Sequence, residues 1–178
     1  MQREIEVKVL NIIPEEIEEK LISLGAEKIC REMQTNYTFE PENGEFEKGY
    51  LRIRESLVDD KRNPIELTFK EVKGDEDVRI NNEFTVHIDS VSMMTSILDK
   101  MGVKLKYKGN KERISYRYKG QRFDIDTWDK NTYPHPYMEI EFTNQSKIDE
   151  ILDDLGIEKG MVTTKAISDL ISELYLKL

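Results

Sequence analysis

Charged residues occur along this sequence in pairs separated by one position, and such pairs could bind a metal ion together with a polyphosphate. The acidic pairs are Glu4 with Glu6, Asp124 with Asp126, and Glu139 with Glu141. The basic pairs are Arg52 with Arg54 and Lys111 with Arg113, and Lys8 and Lys70 accompany them. Several carboxylates together favour a hard divalent cation such as Mg²⁺ or Mn²⁺, whereas converging Arg and Lys side chains match polyphosphate oxygens. No glycine-rich phosphate loop of the Walker type occurs, so binding would fall to side chains.

The pairs lie in segments where polar and apolar residues alternate, which is the pattern of a half-buried β-strand. Eight strands are predicted, over 2–12, 28–39, 50–58, 64–72, 78–88, 103–119, 121–129 and 137–143. Helices are predicted from Pro14 to Gly25, from Asp89 or Ser90 to Met101, over 147–155 and over 163–176. Strands joined mostly by hairpins, with helices after the first, fifth and eighth, indicate an α+β fold with a mainly antiparallel sheet. The whole chain, residues 1–178, is expected to be a single domain.

The charged faces of these strands have two interpretations. An ordinary sheet would turn them towards solvent. If the helices cover the apolar face instead, the charged face becomes the inside of a curved or closed sheet. The signs also segregate, because carboxylates concentrate on the first and the last two strands and basic residues on strands between them. This segregation favours a closed site for a metal and a polyphosphate.

Composition excludes other classes of function. The formal net charge of −9 argues against a nucleic-acid partner, which a protein usually contacts through a basic face. Cys30 is the sole cysteine, so no internal disulfide can form and a cytoplasmic location is expected. Two histidines, His87 and His135, make a zinc site improbable. No apolar run approaches the ~20 residues of a membrane span, and no signal peptide is recognisable.

The motifs together resemble the CYTH superfamily, the triphosphate tunnel metalloenzymes. E-I-E-V-K at 4–8 matches the E-x-E-x-K signature of that group. It is followed in family order by L-R-I-R at 51–54, L-T-F-K at 67–70, Glu83, K-x-R at 111–113, D-I-D at 124–126 and E-I-E at 139–141. A terminal helix carrying Lys165 also fits, although its K-A-I-S differs from the lysine followed by Ser-Tyr of many members. The resemblance spans nearly the whole chain.

The resemblance implies an eight-stranded antiparallel β-barrel, CYTH-like, with flanking helices and a triphosphate tunnel inside. The metal, Mg²⁺ or Mn²⁺, would be held by Glu4, Glu6, Asp126, Glu139 and Glu141, with Asp124 near them. The small-molecule triphosphate substrate would be bound by Lys8, Arg52, Arg54, Lys70, Lys111, Arg113 and Lys165. The catalytic residues would be Glu4, Glu6, Lys8 and Arg113. Glu83 would orient a basic neighbour or approach a second metal.

Metal-dependent hydrolysis of inorganic triphosphate, thiamine triphosphate or a nucleoside triphosphate is the leading functional hypothesis. A carboxylate, or Tyr37 with a lysine, would take the proton from water, although Tyr37 is equally expected to be a packed strand tyrosine. The main alternative is a class IV-like adenylate cyclase that converts ATP to cyclic AMP and pyrophosphate. A polyphosphate-binding module without turnover is a third, although buried carboxylates without a metal would not help a pure anion binder. The oligomeric state is expected to be a monomer or a homodimer.

Overall fold

The computed structural model of this 178-residue chain describes residues 2–74, 78–143 and 145–175. The strands are β1 (Gln2–Val9), β2 (Glu27–Pro41), β3 (Gly49–Val58), β4 (Lys61–Arg62), β5 (Ile65–Gly74), β6 (Arg79–Ile88), β7 (Val103–Tyr118), β8 (Gln121–Trp128), β9 (Tyr137–Glu141) and β10 (Val162–Thr163). The α-helices are α1 (Pro14–Ser23), α2 (Val91–Lys100), α3 (Ile148–Leu155) and α4 (Ile167–Tyr175). Short 3-10 helices cover Gln145–Lys147 and Lys159–Met161.

Eight long strands form a closed antiparallel barrel. Their order around the barrel is β1-β6-β5-β3-β2-β7-β8-β9, and β9 pairs back to β1. At this closing seam Glu6 lies opposite Glu141 and Lys8 opposite Glu139. The two-residue strands β4 and β10 extend the edges of β3 and β1. The predicted eight-stranded barrel with flanking helices is therefore confirmed.

The main hydrophobic core lies outside the barrel wall. Outward-facing side chains of β1, β8 and β9, such as Val7, Phe123 and Ile140, are buried against helices α1 and α3. Those helices contribute Leu21 and Ile151 to the same cluster. Burying this apolar surface stabilises the barrel from its outside, since the inward-facing side chains are polar.

Two smaller clusters attach the other helices. Helix α2 places Leu98 against Phe39 of β2 and Ile53 of β3. It begins where predicted, because the Ser90 hydroxyl accepts a hydrogen bond from the Met93 amide at 3.2 Å and so caps the helix. Helix α4 packs Leu170 in a cluster that also includes Trp128, Tyr133 and Tyr137. No helix in the described ranges is both long enough and apolar enough to cross a membrane.

The last helix is shorter than its predicted span of 163–176. Thr163 pairs with Lys8, and Val162 with Val9, as the short strand β10. This pairing keeps the backbone of Val162 and Thr163 extended, and α4 begins only at Ile167. Ala166 and Ile167, where the extended segment meets α4, line the interior cavity.

We expect Ile140→Ala to reduce the free energy of unfolding by about 2–5 kcal/mol, because it removes a fully buried side chain from the outer core. The control is Ile22→Ala on α1, where the side chain is 60% exposed and a change within about 0.5 kcal/mol is expected. Urea unfolding of both variants measures the difference. Equal effects of the two substitutions would show that the barrel wall is not held by this outer core.

Candidate active site

The barrel encloses a polar cavity of about 370 Å³. All eight long strands contribute side chains to its wall. Ten of the residues predicted as metal or phosphate ligands line it, namely Glu4, Glu6, Lys8, Arg52, Arg54, Lys70, Lys111, Arg113, Glu139 and Glu141. The barrel thus brings together charged pairs that lie far apart in the sequence, from Glu4 and Glu6 to Glu139 and Glu141.

Neighbouring strands β8, β9 and β1 form a wall rich in carboxylates. Lys8 extends into this wall, and its Nζ lies 3.1 Å from Glu139 and 3.5 Å from Glu6. Burial alone would raise the pKa of Glu139, but the charges of Lys8 and Arg113 outweigh it and hold that pKa well below its usual range. Glu139 is therefore an anion at neutral pH.

Glu141 has the opposite electrostatic environment. Burial raises its pKa, and the nearby carboxylates of Glu4 and Asp124 raise it further. No Lys or Arg of the described part of the chain lies within ion-pair distance of Glu141, that is, within 4.0 Å. A cation bound beside these carboxylates would relieve their mutual repulsion.

Arg113 links the carboxylates of β8 and β9. Its guanidinium donates to Asp126 through Nε and Nη2, both at 2.7 Å, and to Asp124 through Nη1 at 2.7 Å. Nη2 also lies 2.5 Å from Glu139. These three anions outweigh burial and raise the pKa of Arg113 well above its ordinary value. The side chain is consequently fixed in place by charge-assisted bonds before any ligand binds.

Asp126 does not line the cavity. Its side chain has no exposed surface, and its two oxygens accept bonds from Arg113 and, at 2.7 Å, from Lys111 Nζ. This position does not favour Asp126 as a metal ligand, and instead makes it a support for Lys111 and Arg113. Asp124, two residues earlier, does line the cavity.

Lys111 is buried between charged and aromatic neighbours. Its Nζ lies 5.3 Å from the centre of the Trp128 ring. Burial lowers the pKa of Lys111 to about 7, and the adjacent charge of Arg113 adds to that effect. The pKa of its partner Asp126 is also lowered, against the effect of burial, chiefly by Arg113. Because Arg113 already neutralises Asp126, the aspartate gives Lys111 less support than a simple ion pair would.

Lys70 and Glu83 meet at the β5–β6 side of the cavity. Lys70 Nζ bonds to Glu4 at 2.7 Å and also contacts Glu83. The structure thus places Glu83 against a basic neighbour, one of the two roles considered for it. Nearby charges of Tyr50, Glu6 and Glu4 outweigh burial and raise the pKa of Lys70.

Arg52 and Arg54 lie on one side of the cavity, which is called the anion-seeking side below because both guanidinium groups could bind an anion there. Neither guanidinium has a carboxylate within ion-pair distance in the described ranges, although both residues line the cavity. Burial lowers the pKa of Arg54 to about 10, and the like charges of Arg52 and Arg113 contribute. Glu66 and Glu32 partly offset this effect on Arg54, but neither contacts it within 4.0 Å, so an anion that reaches the two guanidinium groups would bind favourably.

The donors in the cavity fit a hard divalent cation. Glu4, Glu6, Glu139 and Glu141 offer only carboxylate oxygens, and Asp124 adds another at the same wall. Both histidines are exposed, so nitrogen ligands are not supplied. Within the described ranges no three acidic, His or Cys side chains are preassembled around one point. Glu4, Glu6 and Glu139 would therefore exchange their lysine and arginine partners for the metal.

Two residues that were predicted to face the cavity, Lys165 and Tyr37, do not line it. Lys165 is exposed and bonds to Glu173 at 2.5 Å, and its neighbours Ala166 and Ile167 border the cavity instead. Tyr37 lies on the outer face of β2, where its hydroxyl donates to Glu55 at 2.9 Å. The interpretation of Tyr37 as a cavity residue is wrong, because the alternation of the strand turns its neighbours Asn36 and Thr38 inward.

Other cavity residues were not predicted. They include Tyr50, Arg79, Tyr107 and Asn36. Arg79 donates to Asn81 at 3.2 Å and to the Thr164 carbonyl at 3.2 Å, which connects β6 to the segment before α4. The alternation of Arg79, Asn81 and Glu83 along β6 carried the signal for Arg79, since residues two apart share one face.

A family model for the CYTH domain matches residues 2–167. The chain belongs to the CYTH domain family. Known members of the family are enzymes that act on triphosphates, as triphosphatases or as adenylate cyclases. A comparison with curated proteins finds no match.

Solved structures share this fold over nearly the whole chain. The PH1819 protein of Pyrococcus horikoshii OT3 is 26% identical, with a TM-score of 0.79 covering 96% of this chain and 99% of the other. The PH1012 protein of the same organism is 22% identical, with a TM-score of 0.78 over 94% and 98% of the two chains. The putative adenylyl cyclase HpAC1 from Hippeastrum, described as having a dominant triphosphatase activity, is 18% identical, with a TM-score of 0.66 over 93% and 91%.

The stability of the CYTH chain should depend on pH through Lys111. With a pKa of about 7 in the folded chain and ~10.4 when unfolded, Lys111 has released its proton above pH 7 only in the folded state. The unfolded state then binds more protons, so stability rises with pH. Relative to Lys111→Met, we expect the wild-type free energy of unfolding to increase by about 2 kcal/mol between pH 6.5 and 8.5.

Urea unfolding at each pH measures this difference. The matched control is Lys61→Met, an exposed lysine whose substitution should leave a difference from wild type that is constant with pH. A constant difference for Lys111→Met as well would mean that Lys111 keeps its proton throughout this range.

Proposed function

We propose that this CYTH protein hydrolyses a triphosphate with the help of a divalent cation bound in the barrel. The observation that carries the proposal is the division of the cavity into two sides. Among the described residues, Arg52 and Arg54 have no carboxylate within 4.0 Å on one side, and Glu141 has no Lys or Arg within 4.0 Å on the other, where Glu4 and Asp124 repel it. A polyphosphate with a bound divalent metal supplies both missing charges at once.

The four glutamates at the closing seam would hold Mg²⁺ or Mn²⁺. They are Glu4 and Glu6 of β1 and Glu139 and Glu141 of β9. A divalent cation held there would supply charge neutralisation for the phosphoryl group and would make water easier to deprotonate. Asp126 is better assigned to holding Lys111 and Arg113, because both of its oxygens are already occupied by them.

The basic side chains would bind the phosphate chain. Arg52 and Arg54 are free to form bidentate contacts with phosphate oxygens, which planar guanidinium groups match well. Lys8, Lys70 and Arg113 also line the cavity, and each already contacts a carboxylate. They would stabilise negative charge on the phosphoryl group being transferred and on the leaving diphosphate.

Water would attack the terminal phosphorus, break its bond to the bridging oxygen and release orthophosphate and a diphosphate. Preorganised donors account for most of the expected acceleration, because they need little rearrangement as charge develops. The fixed position of Arg113 meets this requirement, since three carboxylates hold it. The single Cys30 is free, which suits a reducing compartment such as the cytoplasm.

Cyclisation of ATP is the alternative reaction that the same charged cavity could catalyse. It would require the ribose 3′-hydroxyl to attack the α-phosphorus with release of pyrophosphate. HpAC1 carries the name of a cyclase together with a dominant triphosphatase activity, so the two reactions must be separated by their products. Hydrolysis is the simpler proposal, because it needs only the triphosphate and water.

The decisive experiment is phosphate release from inorganic triphosphate, thiamine triphosphate and ATP in the presence of Mg²⁺, Mn²⁺ or EDTA. We expect metal-dependent orthophosphate release that falls at least about a hundredfold in Glu4→Gln, since that change removes a charge from the metal site. The control is Glu55→Gln on the outer face, where the amide oxygen can still accept from Tyr37. Pyrophosphate and cyclic AMP from ATP would identify a cyclase, and no turnover with any metal would refute both reactions.

Removal of the Arg54 side chain should weaken the binding of triphosphate without reducing the free energy of unfolding. We expect Arg54→Met to unfold at about the same urea concentration as wild type, because removal of a desolvated charge offsets loss of the hydrogen bond to Asn36. Its affinity for inorganic triphosphate should fall at least tenfold, as measured by calorimetry. The control is Arg31→Met at an exposed guanidinium that bonds to Glu112, where the affinity should not change. Unchanged affinity in Arg54→Met would contradict the proposed anion side.

A further inference from the structure

The neutral side chain of Asn36 lies among the basic residues of the cavity. Asn36 is on the inner face of β2, where its Cα pairs with Arg54 on β3 and with Gly109 on β7. The residue is only 2% exposed, yet it borders the cavity. No role follows for it from the motifs that identified the charged ligands.

The orientation of the Asn36 amide is determined by its neighbour. Arg54 Nε donates a hydrogen bond of 3.1 Å to Asn36 Oδ1. A guanidinium can only donate, so the amide oxygen must face Arg54 and the amide nitrogen must face away from it. That nitrogen, Nδ2, is buried and has no hydrogen-bond partner in the described part of the protein.

A buried donor without a partner is unfavourable for folding and therefore needs an explanation. Gln34, two residues earlier on β2, has an acceptor without a partner in the described residues, Oε1, but its donor Nε2 is paired with Glu32 at 2.8 Å. Asn81, on the opposite side of the cavity, accepts from Arg79 at 3.2 Å and donates to Glu6 at 3.1 Å. The Nε atom of Arg52 is a second buried donor without a partner, and it belongs to the same anion-seeking side as Asn36.

We propose that Asn36 is a polyphosphate-binding residue whose Nδ2 donates to a phosphate oxygen held by Arg52 and Arg54, while its Oδ1 orients Arg54. The inference rests on the proposed function, because it deepens the description of the same site. A neutral donor suits this position, since a further cation would add repulsion between the two arginines in a poorly solvated place. The amide is screened from solvent, so the phosphate reaches it as neighbouring long side chains turn towards the anion.

Two substitutions at Asn36 separate its two hydrogen-bonding roles. Asn36→Asp is isosteric and keeps an acceptor for Arg54, but it removes the donor and adds a negative charge. Asn36→Ala removes donor and acceptor together. The matched control is Asn110→Asp, an exposed asparagine whose Oδ1 accepts from Thr35 at 3.0 Å and which can keep that bond as an aspartate.

Calorimetric titration with inorganic triphosphate in EDTA measures binding without turnover, and urea unfolding measures stability. We expect at least about tenfold weaker binding for Asn36→Ala and a larger loss for Asn36→Asp, as for a lost hydrogen bond to a charged group. Asn36→Asp should unfold at the same or a higher urea concentration than wild type, because its carboxylate pairs with Arg54. Asn110→Asp should bind within twofold of wild type.

Binding by both Asn36 variants within twofold of wild type would overturn the inference, even if the wild-type enzyme hydrolyses triphosphate. A loss of stability in Asn36→Asp with unchanged affinity would also overturn it and assign Asn36 a purely structural role. Failure of the proposed function has a different signature, namely a wild-type protein that binds inorganic triphosphate without hydrolysing it. Wild-type protein that neither binds nor hydrolyses it would refute the function and the inference together.

Discussion

The pairing of β9 with β1 is the contact on which the rest of the molecule depends. It joins the two ends of a long antiparallel sheet, so no strand edge of the barrel remains open along this seam. The same pairing puts Glu6 beside Glu141 and Lys8 beside Glu139, although more than 130 residues separate them in sequence. Closure therefore creates the carboxylate wall and the enclosed cavity in one step. An open sheet with the same strands would expose these charges to water, where each would act weakly and alone.

Enclosing so many charges has an energetic cost, and the structure offsets most of it by internal pairing. Lys8, Lys70 and Arg113 each contact carboxylates at short distances, which replaces part of their lost hydration. Arg52 and Arg54 have no such compensation within the described residues. The cationic side chains that lack a carboxylate contact are therefore concentrated at one side of the cavity. A fold that tolerates this arrangement keeps part of its binding energy available for an anion.

The alternation of polar and apolar residues predicted the eight strands and which residues share a face. It left open whether the charged face was inside, which the segregation of charge and the family resemblance favoured. The alternation could not show which inward-facing side chains reach the cavity and which are covered by their neighbours. Asp124 and Asp126 share a face, but only the packing of Arg113 and Lys111 around Asp126 removes it from the cavity. Tyr37 was misplaced because chemistry suggested a role that its position in the alternation excludes. Lys165 was misplaced because the β10 pairing, which depends on contacts distant in sequence, delays the start of α4. Amide side chains such as Asn36 carry no charge pattern, so spacing alone could not identify them.

Because the main hydrophobic core lies outside the barrel wall, the residues that stabilise the fold differ from the residues that determine the chemistry. Substitutions that hold the fold together act mostly on outward residues such as Ile140, beneath α1 and α3. Substitutions that change chemistry act on the inward residues next to them in the same strands. Each strand can thus exchange its ligand set at alternate positions while its packing positions stay the same. An inherited barrel of this type can acquire a new substrate without having to rebuild its core.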